Sequence, residues 1–368
     1  MEKHPYIEVE SIDRIPRSLQ GRYNHFAFQY LDFNEAPADV RACSFVDCLF
    51  LGCVIPEDMK PGIGEACLEF PRMGKIYKAF TGNLYTADTL YEGFEPGNEE
   101  SFDTCFDTRV YQDYISRGKH TDDISETLAR SIHDHSMSDA MYELLDGYQE
   151  RDVVAVMGGH ALLRTDPAYR KVVEISKALT EKGRLMVSGG GPGAMEATHL
   201  GAWMAGRSSA ELDEAMQILA PFPTFRDKGW LSSAFEVIRK FPQDRYRSLG
   251  VPTWFYGHEP ATPFASHIAK YFDNSIREDG ILAIAKGGII YSPGAAGTLQ
   301  EVFQDAAQNH YETFGYASPM VFLGVDYYTK EVPVFPLLQD LLERGKYKNL
   351  LLSITDSTEE AVEAITAY

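Results

Sequence analysis

From residue 152 onward the chain repeats one unit: a short apolar run, a turn, then a stretch of helical periodicity. Val153-Val-Ala-Val-Met157 runs into Gly158-Gly159, and Arg184-Leu-Met-Val187 runs into Ser188-Gly-Gly-Gly-Pro-Gly193. Further strand-like runs are Gln217-Ile-Leu219, Pro252-Thr-Trp-Phe-Tyr256, Gly288-Ile-Ile-Tyr291, Met320-Val-Phe-Leu323 and Asn349-Leu-Leu-Leu352. Helices are expected near 167–182, 194–204, 262–285, 298–311, 335–344 and 358–366. Strands of this kind alternating with helices predict an α/β fold with a parallel sheet, because the crossovers between parallel strands bury both faces. Ligands of such sheets sit outside the carboxyl ends of the strands, and three glycine-rich loops fall at three such ends.

The first 150 residues read differently and are expected to form an α+β extension of unassigned role, with 151–368 as the catalytic domain. All five cysteines lie there (Cys43, Cys48, Cys53, Cys67 and Cys105), and the first three recur every five residues. That period fits short stacked β-turns, as in pentapeptide repeats. Three copies are few, however, and buried small residues in a strand pair are the favoured reading. Residues 122–147 carry apolar positions at helical spacing.

The formal net charge of −20 bears on partners. Nucleic acid is bound largely through Lys and Arg neutralising phosphates, so neither DNA nor RNA is an expected partner. A small anion is different, since backbone amides at a helix N-terminus hold it without net positive charge. An odd cysteine count in a large chain predicts a reducing, cytoplasmic setting. No apolar run reaches membrane-spanning length, so no membrane association is expected. His133-Asp134-His135 offers only two ligands and no CxxC or HExxH partner, so no metal is expected. No G-x-S-x-G elbow occurs.

The loop Met157-Gly158-Gly159-His160 is by itself as consistent with a tight turn as with ligand binding. Ser188-Gly189-Gly190-Gly191-Pro192-Gly193-Ala194-Met195-Glu196 is stronger: four glycines in five positions, between strand and helix, make an amide-lined concavity at a positive dipole end. It is a poor dinucleotide fingerprint, because the acid at the right distance, Glu211, precedes the next strand-like run. The third loop, Ser292-Pro293-Gly294-Ala295-Ala296-Gly297-Thr298, leads into Leu-Gln-Glu301. Thr298 and the first amides of the helix can grip a phosphate, with Glu301 one turn on at the same mouth. Thr298-x-x-Glu301 also reads as a capping box needing no ligand, and local sequence does not separate the two.

Together the three loops resemble the Lonely Guy (LOG) family, also called lysine decarboxylase-like proteins. Gly158-Gly-His160 with Gly190-Gly-Pro-Gly-Ala-Met-Glu196 is especially similar to its larger bacterial branch, the nucleotide 5′-monophosphate nucleosidases. The resemblance spans about 150–330 and implies a Rossmann-like sheet. It also implies hydrolysis of the N-glycosidic bond of a purine or pyrimidine nucleoside 5′-monophosphate, giving free base and ribose 5-phosphate, with no cofactor and a homodimer or higher homo-oligomer. By the same resemblance Gly294, Gly297 and Thr298 receive the phosphate and Glu301 acts beside the ribose with Arg277. Gly158, Gly159, His160, Gly189, Gly190, Gly191, Gly193, Met195 and Glu196 line the substrate. The chain departs from the family pattern in placing Ala295 where the second loop glycine stands, and in a longer segment containing His258 and Glu259.

The chemistry suits those residue types. Glycosidic cleavage develops positive charge on the sugar; a carboxylate stabilises it, and an arginine neutralises phosphate. Two other readings stand beside it. A nucleotide or cofactor carrier of the same fold, as in molybdenum-cofactor carriers with related loops, needs the glycines but not the Glu301–Arg277 pair. A single-stranded DNA-binding protein is disfavoured by the charge.

Overall fold

Three-residue strands stacked in parallel dominate the start of the chain. The computed structural model describes residues 6–17, 20–74, 76–257 and 259–368. These divide into two compact units, Met1–Leu84 with Asp113–Glu143, and Tyr85–Gln112 with Leu144–Tyr368.

In the first unit, β1 (Ile7–Val9), β3 (Phe26–Gln29), β5 (Leu49–Leu51) and β6 (Leu68–Phe70) pair in parallel in that order, while β2 (Arg22–Asn24) pairs in parallel with β4 (Ser44–Val46). Each pairing joins residues 18 to 22 apart, so the chain climbs as a coil. Tyr23, Phe28 and Phe33, and then Phe45 and Phe50, recur every five residues and point inward. Tyr23 stacks on Phe45 at 5.2 Å and Phe28 on Phe50 at 5.4 Å, one coil above the other. The cysteine period is the shadow of this aromatic ladder. Cys43 and Cys48 stand two positions before Phe45 and Phe50, and the Cys48 and Cys53 thiols point at the Tyr23 and Phe28 carbonyls of the coil below. The stacked-turn reading therefore describes the region, and the strand-pair reading does not.

The second unit is a parallel α/β sheet with helices on both faces. Its strands are β7 (Val153–Met157), β8 (Leu185–Ser188), β9 (Ser248–Gly250), β10 (His267–Ile268), β11 (Ile289–Tyr291), β12 (Pro319–Leu323) and β13 (Leu351–Thr355). Their order is β10-β9-β8-β7-β11-β12-β13, all parallel. Alternation sorts the side chains. Val154, Val156, Ile290 and Val321 pack with Tyr169, Val172 and Leu200 of the helices Pro167–Glu181 and Ala194–Trp203. On the other face Tyr291 reaches Asp305 of the helix Ala296–Tyr311, and Phe322 meets Phe335.

Three sequence expectations fail here. Gln217-Ile-Leu219 ends a helix, Ser209–Leu219, because Ser208 and Glu211 form a capping box and Leu212, Ala215 and Leu219 share its buried face. The strand expected at 252–256 lies earlier, at β9, since Pro252 cannot donate to a ladder. Of the helix expected over 262–285, only Asn274–Ile284 forms, capped by Asp273, while His267–Ile268 is the edge strand.

That edge is covered by Tyr85, which exchanges two backbone hydrogen bonds with Ile268 (2.9 and 2.7 Å). The segment Tyr85–Gln112 is also anchored by charge. Lys270 donates to both oxygens of Asp107 (2.7 and 2.9 Å) and the Trp254 indole to one (2.8 Å), all three side chains being buried. Removing one partner leaves an uncompensated buried charge, which costs about 3–5 kcal/mol. Asp107→Ala is therefore expected to lower unfolding stability by that amount in urea, and adding Lys270→Met to recover most of it. Equal losses from the single and double variants would contradict this.

Candidate functional site

Strand order reverses at β7: the chain builds outward to one edge through β8, β9 and β10, then returns to the other side of β7 with β11. Loops leaving β7 and β11 therefore diverge over a crevice, the place where open α/β sheets bind ligands. The loops after β7, β8 and β11 are the three glycine-rich ones, and one residue, Gly159, joins them. The Gly159 N–H donates to the Pro293 carbonyl (3.1 Å), and its own carbonyl accepts from the Ala194 amide (3.1 Å). A Cβ on Gly158 would lie 2.7 Å from the Ala194 Cβ and 2.9 Å from the Ser292 Cβ, so side chains are excluded where the loops meet. Gly193, at φ +70°, caps the helix Ala194–Trp203; a Cβ there would sit 2.4 Å from the Gly159 oxygen.

The triple-glycine loop is buried. Gly190 accepts from the Thr262 amide (2.8 Å), and its own N–H donates to Ser188 Oγ (3.1 Å). Gly189 lies beneath Arg277 and Met195, and Gly191 beneath Met195 and Glu259; these are flexible side-chain ends, not backbone. Arg277, on the helix Asn274–Ile284, is oriented by Nε donating to the Val251 carbonyl (2.9 Å), with Asn274 Oδ1 3.4 Å from its other arm. His160 has a half-exposed ring, with Nδ1 3.9 Å from Glu259 Oε1; His258 lies outside the described residues. Under the loop, His199 bridges Ser188 (2.8 Å) and Ser248 (2.9 Å), and burial pushes its pKa down to about 3, so it is a neutral strut.

At the third loop the helix Ala296–Tyr311 begins with Ala295 as N-cap and no side-chain cap. Thr298 is therefore the third helical residue and the capping box with Glu301 does not form. Its hydroxyl instead faces Gly294, where a Cβ would come within 2.2 Å of it. Ala295 has φ −93° and is exposed, so its methyl group is accommodated without strain. Gly297 is exposed with open space beyond it. Two tyrosines unmarked in the sequence hold the loop from behind. Tyr327, in the π-helical turn Tyr327–Glu331, donates to the Gly294 carbonyl (2.7 Å), and Tyr328 to the Ser292 carbonyl (2.7 Å). Turning the Gly294 oxygen toward Tyr327 points the trans peptide's opposite end, the Ala295 N–H, away from it.

Glu301 makes no hydrogen bond or ion pair among the described residues. Burial is the largest influence on it and raises its carboxyl to about 7, against the lowering field of Arg277. One turn on, Asp305 is raised to about 7 by burial, opposed by the hydrogen bond it accepts from Tyr291 (2.7 Å). Glu196 is placed otherwise. Both its oxygens are bound by Arg164 (2.5 and 3.0 Å) and one by Tyr169 (3.0 Å), all buried, so its carboxylate braces the helix and is not offered to the mouth. Nothing in the sequence signals Arg164, which lies 32 residues before its partner.

No family model matches the chain, and no curated protein does. Among solved structures, the chain is similar to the molybdenum cofactor binding protein of the phototrophic bacterium Rippkaea orientalis, with 16% identity over 58% of this chain and 95% of that one and a TM-score of 0.36. It is also similar to TM1055, a structural-genomics target, at 20% identity, 59% and 99% coverage and a TM-score of 0.38. A third is the Moco carrier protein of Chlamydomonas rheinhardtii, at 16% identity, 58% and 95% coverage and a TM-score of 0.35. Among the described residues no helix is long and apolar enough to cross a membrane, and no group of three His, Cys, Asp or Glu side chains is placed to hold a metal ion.

Two outcomes follow from this geometry. Gly158→Ala overpacks the loop junction and is expected to cost about 1–3 kcal/mol in urea unfolding, whereas Gly297→Ala leaves stability unchanged or raises it by up to about 1 kcal/mol; equal effects would contradict the assignment. A raised carboxyl pKa means the folded state favours the protonated form, so this contribution is full below the ordinary value of 4.5 and lost as pH rises through about 7. Glu301→Gln should accordingly raise the urea midpoint over wild type at about pH 8 and leave it unchanged at about pH 4. A lower midpoint for the variant at the higher pH would show Glu301 to be a stabilising, paired carboxylate.

Proposed function

We propose that this chain hydrolyses the N-glycosidic bond of nucleoside 5′-monophosphates, giving free base and ribose 5-phosphate. The observation that carries the reading is Glu301, a carboxyl group that makes no hydrogen bond or ion pair among the described residues and is raised by burial to about 7. Unpaired, desolvated carboxylates cost stability and concentrate where chemistry uses them. A carboxylate at a phosphate mouth also repels the anion, so a carrier gains nothing from it. Two of the similar solved structures are named for binding or carrying molybdenum cofactor; a carrier reading of this chain draws only on the glycine loops and leaves Glu301 unexplained.

In the proposed reaction the phosphate rests on the first amides of the helix Ala296–Tyr311, near Gly294, Gly297 and Thr298, at the positive end of the helix dipole. The open space over Gly297 leaves room for its oxygens. Arg277 adds positive charge from the helix Asn274–Ile284. The bond from C1′ to the base nitrogen breaks with its electron pair going to the base, and positive charge builds on the ribose. Ionised Glu301 stabilises that charge and takes a proton from the water that forms the new C1′–O bond. The departing nitrogen acquires a proton from solvent and Glu301 returns one, so the net reaction consumes only water.

The test is base release from a panel of purine and pyrimidine monophosphates. Wild type is expected to release base, with kcat/KM falling as pH drops below about 7, as Glu301 protonates. Glu301→Gln is expected to lower kcat by about 10²–10⁴-fold. Nucleotide binding with no release from any substrate would establish the carrier reading instead. Release unaffected by the substitution would remove Glu301 from the mechanism.

A further inference from the structure

Beside the loop junction lies a cavity of about 190 Å³ that the phosphate and ribose contacts do not use. Pro192, Gly193 and His160 line it on the side of the loop junction, and Trp230, Phe225 and Arg226 also line it. That volume accommodates a single ring system. Its near side continues the loop junction. Gly294 packs against Gly159, and His160 is the next residue, so a group leaving Gly294 reaches the cavity across one or two Cα steps of ~3.8 Å each.

The lining is chemically one-sided. Phe225 meets the His160 ring edge-on at 6.4 Å, and the Arg226 guanidinium lies 5.3 Å from the Phe225 centroid. Arg226 is exposed and makes no ion pair among the described residues, while its planar fork is suited to two adjacent acceptors. The one carboxylate in the lining, Glu196, has both oxygens occupied by Arg164 and Tyr169. The lining thus presents aromatic faces and one exposed guanidinium, Arg226, while its carboxylate, Glu196, is already engaged.

We propose that this cavity is the nucleobase subsite and that it selects 6-oxopurines over 6-aminopurines. The assignment rests on the nucleotide reading above and extends it to the base. A 6-oxopurine offers O6 and N7 as adjacent acceptors, the pair an arginine fork binds. A 6-aminopurine puts a donor at that position, opposite the donors of Arg226. The ring lies against Phe225, where stacking tolerates either purine, so discrimination falls to Arg226.

The test uses the full chain carrying Glu301→Gln, so that bound nucleotides are not consumed, and titrates GMP, AMP and ribose 5-phosphate by calorimetry. GMP is expected to bind at least about tenfold more tightly than AMP, the discrimination of one bidentate contact. Adding Arg226→Ala, or Arg226→Lys, which keeps the charge but loses the fork, should erase that ratio while ribose 5-phosphate binds as before. A ratio near one in the parent, or a ratio that survives both substitutions, overturns the subsite. The two readings fail separately. If GMP selectivity depends on Arg226 but the chain with Glu301 intact releases no base, hydrolysis falls and the subsite stands. If base is released with no dependence on Arg226, the subsite falls and hydrolysis stands.

Discussion

One residue holds the site together. The Gly159 N–H reaches the loop after β11 and its carbonyl reaches the loop after β8, so the ends of three strands are tied through a single residue at the point where strand order reverses. A side chain at Gly158 or Gly193 would push those loops apart, since the nearest atoms are backbone and short Cβ groups that cannot swing away. The rest of the site depends on this closeness. It sets Gly294 against Thr298, brings Arg277 over Gly189, and places Glu301 in a setting dry enough to raise its carboxyl.

The same arrangement explains how so acidic a chain can hold an anion. With a net charge of −20, long-range attraction for phosphate is absent. What remains is local: uncapped amides at the start of the helix Ala296–Tyr311 and one arginine held by the Val251 carbonyl. Tyr327 and Tyr328 contribute by occupying loop carbonyls from behind, which fixes which way the adjoining peptides point. Short-range dipoles of this kind act within a turn of the helix and are indifferent to the distant acidic surface.

Much of the sheet was legible because its strands are continuous apolar runs punctuated by glycine, as at Val153–Met157 and Ile289–Tyr291. Reading failed where a short apolar run had two uses. Gln217-Ile-Leu219 belongs to a helix whose start is declared nine residues earlier by Ser208, and the capping box outweighs three apolar neighbours. In the first unit the cysteines were the visible period, while the packing period belongs to the aromatics, spread over two coils and interrupted by Ala38–Arg41. The glycine loops could be located from sequence, but the burial of Glu196 against Arg164 could not, because that pair is made by tertiary packing across 32 residues. Thr298 shows the limit of motif reading most plainly: the spacing of a capping box is present, but the helix begins two residues before it.

The account turns on the state of one carboxyl group. Carbon-13 NMR of the side-chain carboxyls, compared between wild type and Glu301→Gln, measures it directly. Two raised carboxyls, half-buried Glu301 and buried Asp305, are expected to titrate near 7, and one of these signals should vanish in the variant while the other persists. A Glu301 signal titrating near its ordinary value of 4.5 would contradict the account, because a solvated or paired carboxylate there leaves nothing to distinguish this site from a simple anion cradle.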